Sequence, residues 1–139
     1  MPDRTKPQNA HAEERLRTEP IVWLSTVRSD GRPHLVPVWF LWDGSTVLIF
    51  SQPNNQKVRN LQHNQNVMLA LDSTNEGGDV VLFEGKAELL SAEETTLPPA
   101  YVEKYRQGLK DIGQTAESMA KSYSQAIRIT PTKFISWSE

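Results

Sequence analysis

Apolar and polar residues alternate with a period of two along most of this chain, and short turn-forming clusters interrupt the alternation. Ile21–Val27 is a β-type run. The turn Ser29-Asp30-Gly31-Arg32 follows, with Gly31 free to take positive φ. His34–Trp42, rich in Val, Trp and Phe, predicts a second strand. Asp43-Gly44 is a hairpin signal, and Thr46–Ser51 predicts a third strand. Further strands are predicted over Asn66–Asp72, Asp79–Leu90 and Ser124–Trp137. Gly85 marks a bulge or bend in the fifth, and Pro131 interrupts the last. Helical stretches are short: Ala10–Thr18, stopped by Pro20; Asn55–His63, with one narrow apolar stripe; Ala100–Leu109 after Pro98-Pro99; and Gln114–Ser122. Ser91-Ala-Glu-Glu94 has capping-box spacing. Six β-runs joined mostly by tight turns predict a mainly β fold, an antiparallel sheet closed on itself with short helices in its gaps. Residues 1–9 are expected to be loose, with one domain over 10–139.

Composition narrows the functions available. The 139 residues carry a net charge of −2, which argues against a nucleic-acid binder. There are no cysteines, which excludes disulfides and thiolate metal sites and fits a cytoplasmic protein. No apolar run approaches membrane-spanning length, so no membrane partner is expected. His11, His34 and His63 lack metal-ligand spacing, and no metal site is expected. No nucleophile elbow or P-loop occurs. Asp79, Glu84 and Glu88 read as a solvated strand face rather than an acid–base pair. No side chain is named as catalytic, so any reaction is expected to be carried by a cofactor.

One stretch stands apart. Of the 17 acidic residues, none falls between Gly44 and Leu71. Ser51, Asn54, Asn55, Lys57, Arg59 and Asn60 therefore sit free of carboxylate competition. Lys57 occupies the first turn of the predicted helix, where acids are normally favoured. An anion docked there would be held by backbone N–H groups, the ammonium and the Ser51 hydroxyl, and phosphate is the commonest such anion. The alternative is a basic, solvated helix face. Pro33 and Pro37 cannot donate to a ladder, so the strand around Leu35–Trp39 is expected to be open. Open backbone groups beside flat side chains suit the edge of a planar ring. Trp39 and Phe40 point to opposite faces, and one of them must leave the core.

These residues carry a family resemblance. Leu24-Ser-Thr-Val-x-x-Asp-Gly-Arg-Pro-His-Leu-Val-Pro-Val-Trp-Phe40, Phe50-Ser51, Lys57-Val-x-Asn-Leu61, Asn64-x-x-Val67 and Gly85-x-Ala87 resemble the pyridoxamine 5′-phosphate oxidase-like split β-barrel superfamily. Within it the chain is most similar to the B-type flavin/deazaflavin oxidoreductases, most of which use coenzyme F420 and some FMN. The resemblance implies a six-stranded antiparallel split barrel and a homodimer with composite cofactor sites. It implies that Ser51, Lys57 and Asn60 hold a cofactor phosphate, with Gln56 where relatives often carry a second basic residue. Val36, Pro37, Val38 and Trp39 would lie along the ring. It departs from the true oxidases, which carry an Arg at the start and a Lys at the end of the strand matching His34–Phe40, and it lacks their C-terminal Arg and His motif. Vitamin B6 oxidation is therefore not expected. The function implied is hydride transfer between reduced F420 and a conjugated small molecule. The alternatives are an FMN-dependent oxidoreductase or flavin reductase and a non-catalytic flavin, deazaflavin or heme binder, for which His34 and His63 are the candidate axial ligands.

Overall fold

Val22, Leu24 and Thr26 are buried while Trp23, Ser25 and Val27 between them are partly exposed, so the first strand has one face in the core and one outside. The computed structural model describes residues 3–73, 75–91 and 97–138. They form α1 (Ala10–Thr18), β1 (Val22–Val27), β2 (Pro33–Val38), β3 (Leu41–Trp42), β4 (Val47–Ser51), α2 (Gln56–Leu61), β5 (Asn66–Ala70), β6 (Asp79–Leu89), α3 (Pro99–Lys104), α4 (Arg106–Asp111), α5 (Ala116–Ser122) and β7 (Gln125–Ser138). The strands make one curled antiparallel sheet in the order β2-β1-β5-β6-β7-β4-β3, the split-barrel arrangement. Residues 92–94 of the Ser91–Glu94 capping signal lie outside the described residues.

The sheet has seven strands rather than six, because the expected second strand breaks at Trp39-Phe40. The backbone of Phe40 is bonded to side chains instead of a neighbouring strand. Its N–H donates to the Tyr105 hydroxyl at 2.9 Å, and its carbonyl accepts from Lys104 Nζ at 2.9 Å. The other face of the expected opening is real. β2 pairs with β1 from Val22↔Val38 to Val27↔Pro33, and its far side ends the sheet, where its prolines leave no ladder bond unmade.

β7 is not interrupted at Pro131. Its register against β6 slips between Glu84 and Gly85, so that Thr132 is the extra residue and Pro131 lies opposite Gly85. Gly85 is required there: a Cβ would stand 2.9 Å from Ile129 Cγ2 and 3.0 Å from the Thr130 carbonyl oxygen. The predicted helix over Ala100–Leu109 is two, α3 and α4, meeting at Tyr105. Asp79 departs from the solvated face assigned to it. It is buried, and its carboxylate meets Arg15 at 3.2 Å and His11 at 2.8 Å, tying α1 to the start of β6. Glu84 and Glu88, of opposite parity on the strand, are exposed. Ahead of α1, the Arg4 carbonyl accepts from the Phe134 N–H of β7 at 2.8 Å.

Two apolar clusters result. The barrel interior holds Leu24, Phe40, Ile49, Leu61, Phe83, Ile127 and Phe134. A second cluster, with Phe50, Tyr101, Tyr105, Leu109 and Met119, packs α3–α5 against β4 and β7, and Trp39 joins it from the end of β2. Phe40 turns into the first cluster and Trp39 into the second, although neither lies in a strand.

Candidate functional site

The end of β2 and the helical segment 99–122 enclose a cleft of about 250 Å³. Pro37, Val38 and Trp39 line it from β2 and its end, Phe50 from β4 and Lys57 from α2. Tyr101, Ile112 and Met119 line it from the helical segment, and Tyr123 from the cap that follows α5. Its walls are therefore aromatic and apolar, with one cation among them. The Trp39 ring is fixed by a parallel stack on Tyr105, centroids 4.4 Å apart.

Lys57 is half-buried, and burial lowers the pKa of its ammonium. Among the described residues it has no ion pair, unlike Arg15, Arg17, Arg32 and Arg106. The acid-free stretch from Gly44 to Leu71 is the sequence-level cause. One further basic group lies within its field. His34, on the inward face of β2, has its pKa lowered by burial and then by the charges of Arg28 and Lys57. Its Nδ1 is buried with no hydrogen-bond partner. Lys57, without an ion pair among the described residues and within electrostatic reach of a buried ring nitrogen that has no partner, has the chemistry of an anion site.

The structure divides the predicted residues. Pro37, Val38, Trp39 and Lys57 come together in the cleft. Val36 is half-buried on the inward face, paired with Leu24. Ser51 is buried and its hydroxyl donates to the Gln52 carbonyl at 2.8 Å. Asn60 is also buried. It donates to Thr26 Oγ1 at 2.9 Å and accepts from Gln56 Nε2 at 2.7 Å, while Gln56 Oε1 accepts from Arg59 at 2.6 Å. Gln56, Asn60 and Thr26 thus form a relay that fixes α2 against β1. The helix is six residues long and its Asn55 cap makes no side-chain bond, so the charge presented here comes from Lys57 itself.

Tyr101, Ile112, Met119 and Tyr123 belong to the cleft without having been singled out in the sequence, and Phe50 entered there only as part of the Phe50-Ser51 motif. One signal was available: all three tyrosines of the chain fall within residues 101–123. Among the described residues, no group of three metal-ligating side chains occurs, and no helix is long and apolar enough to cross a membrane.

Residues 9–138 match the sequence model of the pyridoxamine 5′-phosphate oxidase family, and the chain belongs to that family. Solved structures agree on the fold. An F420 reductase is 25% identical, with TM-score 0.69, over 88% of this chain and 94% of that one. The conserved hypothetical protein Rv2991 of Mycobacterium tuberculosis is 21% identical with TM-score 0.67, over 99% of this chain and 88% of that one. HutZ, a heme storage protein of Vibrio cholerae, shares the fold at 14% identity and TM-score 0.65, over 91% and 92%. No curated protein matches the sequence.

Proposed function

We propose that this protein is an oxidoreductase that moves a hydride between reduced coenzyme F420 and a conjugated small molecule, acting as a cytoplasmic homodimer whose partner subunit completes the cofactor site. The observation that carries the reading is Lys57, a cation without an ion pair among the described residues that lines an aromatic cleft. When bound, the deazaflavin supplies the hydride chemistry. The chain's own residues bind and orient. Lys57, whose charge reaches His34 together with that of Arg28, takes the anionic part of the cofactor, and the Gln56–Asn60–Thr26 relay holds α2 in place for it. Pro37, Val38 and Trp39 offer a flat apolar edge to the ring system. Phe50 and Met119 keep water from its surroundings. Ser51 serves from beneath, fixing the turn after β4 through Gln52.

F420 is preferred to FMN for two reasons. The chain lacks the Arg and Lys that true pyridoxamine-phosphate oxidases place on the strand matching β2, and the F420 reductase resembles it in fold and sequence. Homodimerisation is supported by the outward face of the sheet, where Leu35 and Met68 are 60% and 40% exposed. Fluorescence titration with F420 and with FMN tests the reading. Protein from a host lacking deazaflavin is expected to be colorless and to bind F420 more tightly than FMN. Stoichiometric FMN retained through gel filtration, with no F420 binding, would replace it with the FMN-dependent alternative. A heme binder is favoured by a single observation, the unpartnered His34 Nδ1. A Soret band on adding hemin, lost in His34→Ala, would select that reading.

A further inference from the structure

We infer that Lys104 is a proton-sensitive latch on the strand break at Trp39-Phe40, so that one proton on its side chain sets how firmly Trp39 is seated as a wall of the cleft. At Phe40 side chains take the place of the ladder. Its N–H donates to the Tyr105 hydroxyl at 2.9 Å, its carbonyl accepts from Lys104 Nζ at 2.9 Å, and the Tyr105 hydroxyl is anchored on the Pro20 carbonyl at 2.7 Å. Of these groups only the Lys104 ammonium carries a charge. It lies 3.8 Å from the centroid of the Phe40 ring and 5.3 Å from that of Tyr105, and Tyr105 stacks on Trp39. Contacts therefore run without a gap from the ammonium to the cleft wall. Among the described residues no carboxylate forms an ion pair with Lys104. Glu19, at the end of α1, acts on it from a distance and is bonded to Arg15, while Glu103 on its own helix is paired with Arg106. A carbonyl and two ring faces replace only part of the water that an ammonium needs. Burial accordingly lowers its pKa from 10.5 to about 8. When the break opens, Nζ returns to water and to its ordinary value. The open form thus holds the proton more tightly than the closed one, and closing releases it. Closure strengthens as pH rises from about 8 to 10.5, while the neutral amine still has hydrogens for the Phe40 carbonyl. The latch works whichever ligand the cleft takes.

The test is hydrogen exchange of the Phe40 amide, followed by NMR in wild type and Lys104→Met at pH 7.5 and 9.5, with rates corrected for base catalysis. In wild type the Phe40 amide is expected to exchange through a local opening, faster than the slowest strand amides, and its protection is expected to rise about tenfold between the two pH values. Lys104→Met is expected to remove that rise. With 5-fluorotryptophan in place of tryptophan, the fluorine signal lost in Trp39→Phe is expected to move over the same pH range. Phe40 protection that does not change with pH, or a rise that persists in Lys104→Met, overturns the latch. So does Phe40 exchange as slow as that of the slowest strand amides, since the break then opens only when the whole chain unfolds. A Trp39 fluorine signal that stays in place also overturns it, because the wall is then seated independently of Lys104. Should Lys104→Met fail to fold, nitrogen-15 titration of Lys104 Nζ in wild type decides, and a midpoint near the ordinary 10.5 overturns the latch.

Discussion

Trp39 and Tyr105 lie face to face, with ring centroids 4.4 Å apart and planes 2° from parallel. The two residues are far apart in sequence, and between them they end one strand and break one helix. Trp39 follows β2, while Tyr105 separates α3 from α4. The Tyr105 hydroxyl accepts the Phe40 N–H, which a longer β2 would have given to the ladder. The strand gives up backbone pairing and gains a cleft wall, a local departure from regular structure at a site with a use for it.

Replacing Tyr105 with Phe keeps the stack and removes the hydroxyl. The buried Phe40 N–H then has no acceptor, which costs about 1–3 kcal/mol. Urea unfolding of Tyr105→Phe should show that loss through a lower midpoint with an unchanged slope. An unshifted midpoint would mean that another group takes over the Phe40 N–H.

Lys104 gives the pH dependence. Its ammonium lies 3.8 Å from the centroid of the Phe40 ring, and burial lowers its pKa from 10.5 to about 8, against a smaller opposing effect of Glu19. Between those two values the unfolded chain holds the proton and the folded chain has released it. Stability from this group therefore rises with pH across that window, by at most about 3 kcal/mol and less after solvent screening. Tyr101 and Tyr105 act oppositely, because burial raises both pKa values above 10.0 and their stabilisation is lost only above the unfolded value. Urea unfolding at pH 7.5 and 9.5 should show wild type gaining stability relative to Lys104→Met. Parallel curves for the two proteins would rule out a buried ammonium.

Lys57→Ala should weaken F420 binding by about 1.5–3 kcal/mol, or roughly one to two decades in Kd, while the thermal midpoint stays close to wild type. Arg28→Ala should weaken it less, and the wild-type affinity should fall as salt is raised. Fluorescence titration reads all three. Unchanged affinity in Lys57→Ala would return α2 to the status of a solvated basic helix.

The proposed homodimer predicts a sedimenting mass of about twice the 15.8 kDa chain at micromolar concentration. Leu35→Glu places a charge on the exposed apolar face of β2 and should shift that mass toward one chain. A monomeric wild type would remove the partner subunit from the cofactor site.

The sequence made the sheet legible because its strands are long and alternate cleanly, and because Asp43-Gly44 and Ser29–Arg32 leave few choices for the turns. Lys57 was visible through a deficit of acids around it. The strand break at Trp39-Phe40 was not visible, since its cause lies in Tyr105 and Lys104, some 65 residues away in sequence. Asp79 misled for a similar reason: its strand position says nothing of Arg15, which arrives from α1. Pro131 was read as an interruption because the bulge that absorbs it depends on the absent side chain of Gly85. The tyrosines of 101–123 reach the cleft only through the packing of α3–α5, and no local periodicity encodes it.

Gly108 faces the same indole from α4, and a Cβ there would stand 3.1 Å from Trp39 Cζ2. The ring stacks on a phenol and has bare backbone close by, which restrains its rotamer. An arriving ligand consequently loses no side-chain entropy in ordering this wall, and the wall cannot reshape itself around a poor fit. Discrimination by outline is present before any encounter, so mismatched ring systems should be rejected through steric exclusion rather than through slow rearrangement.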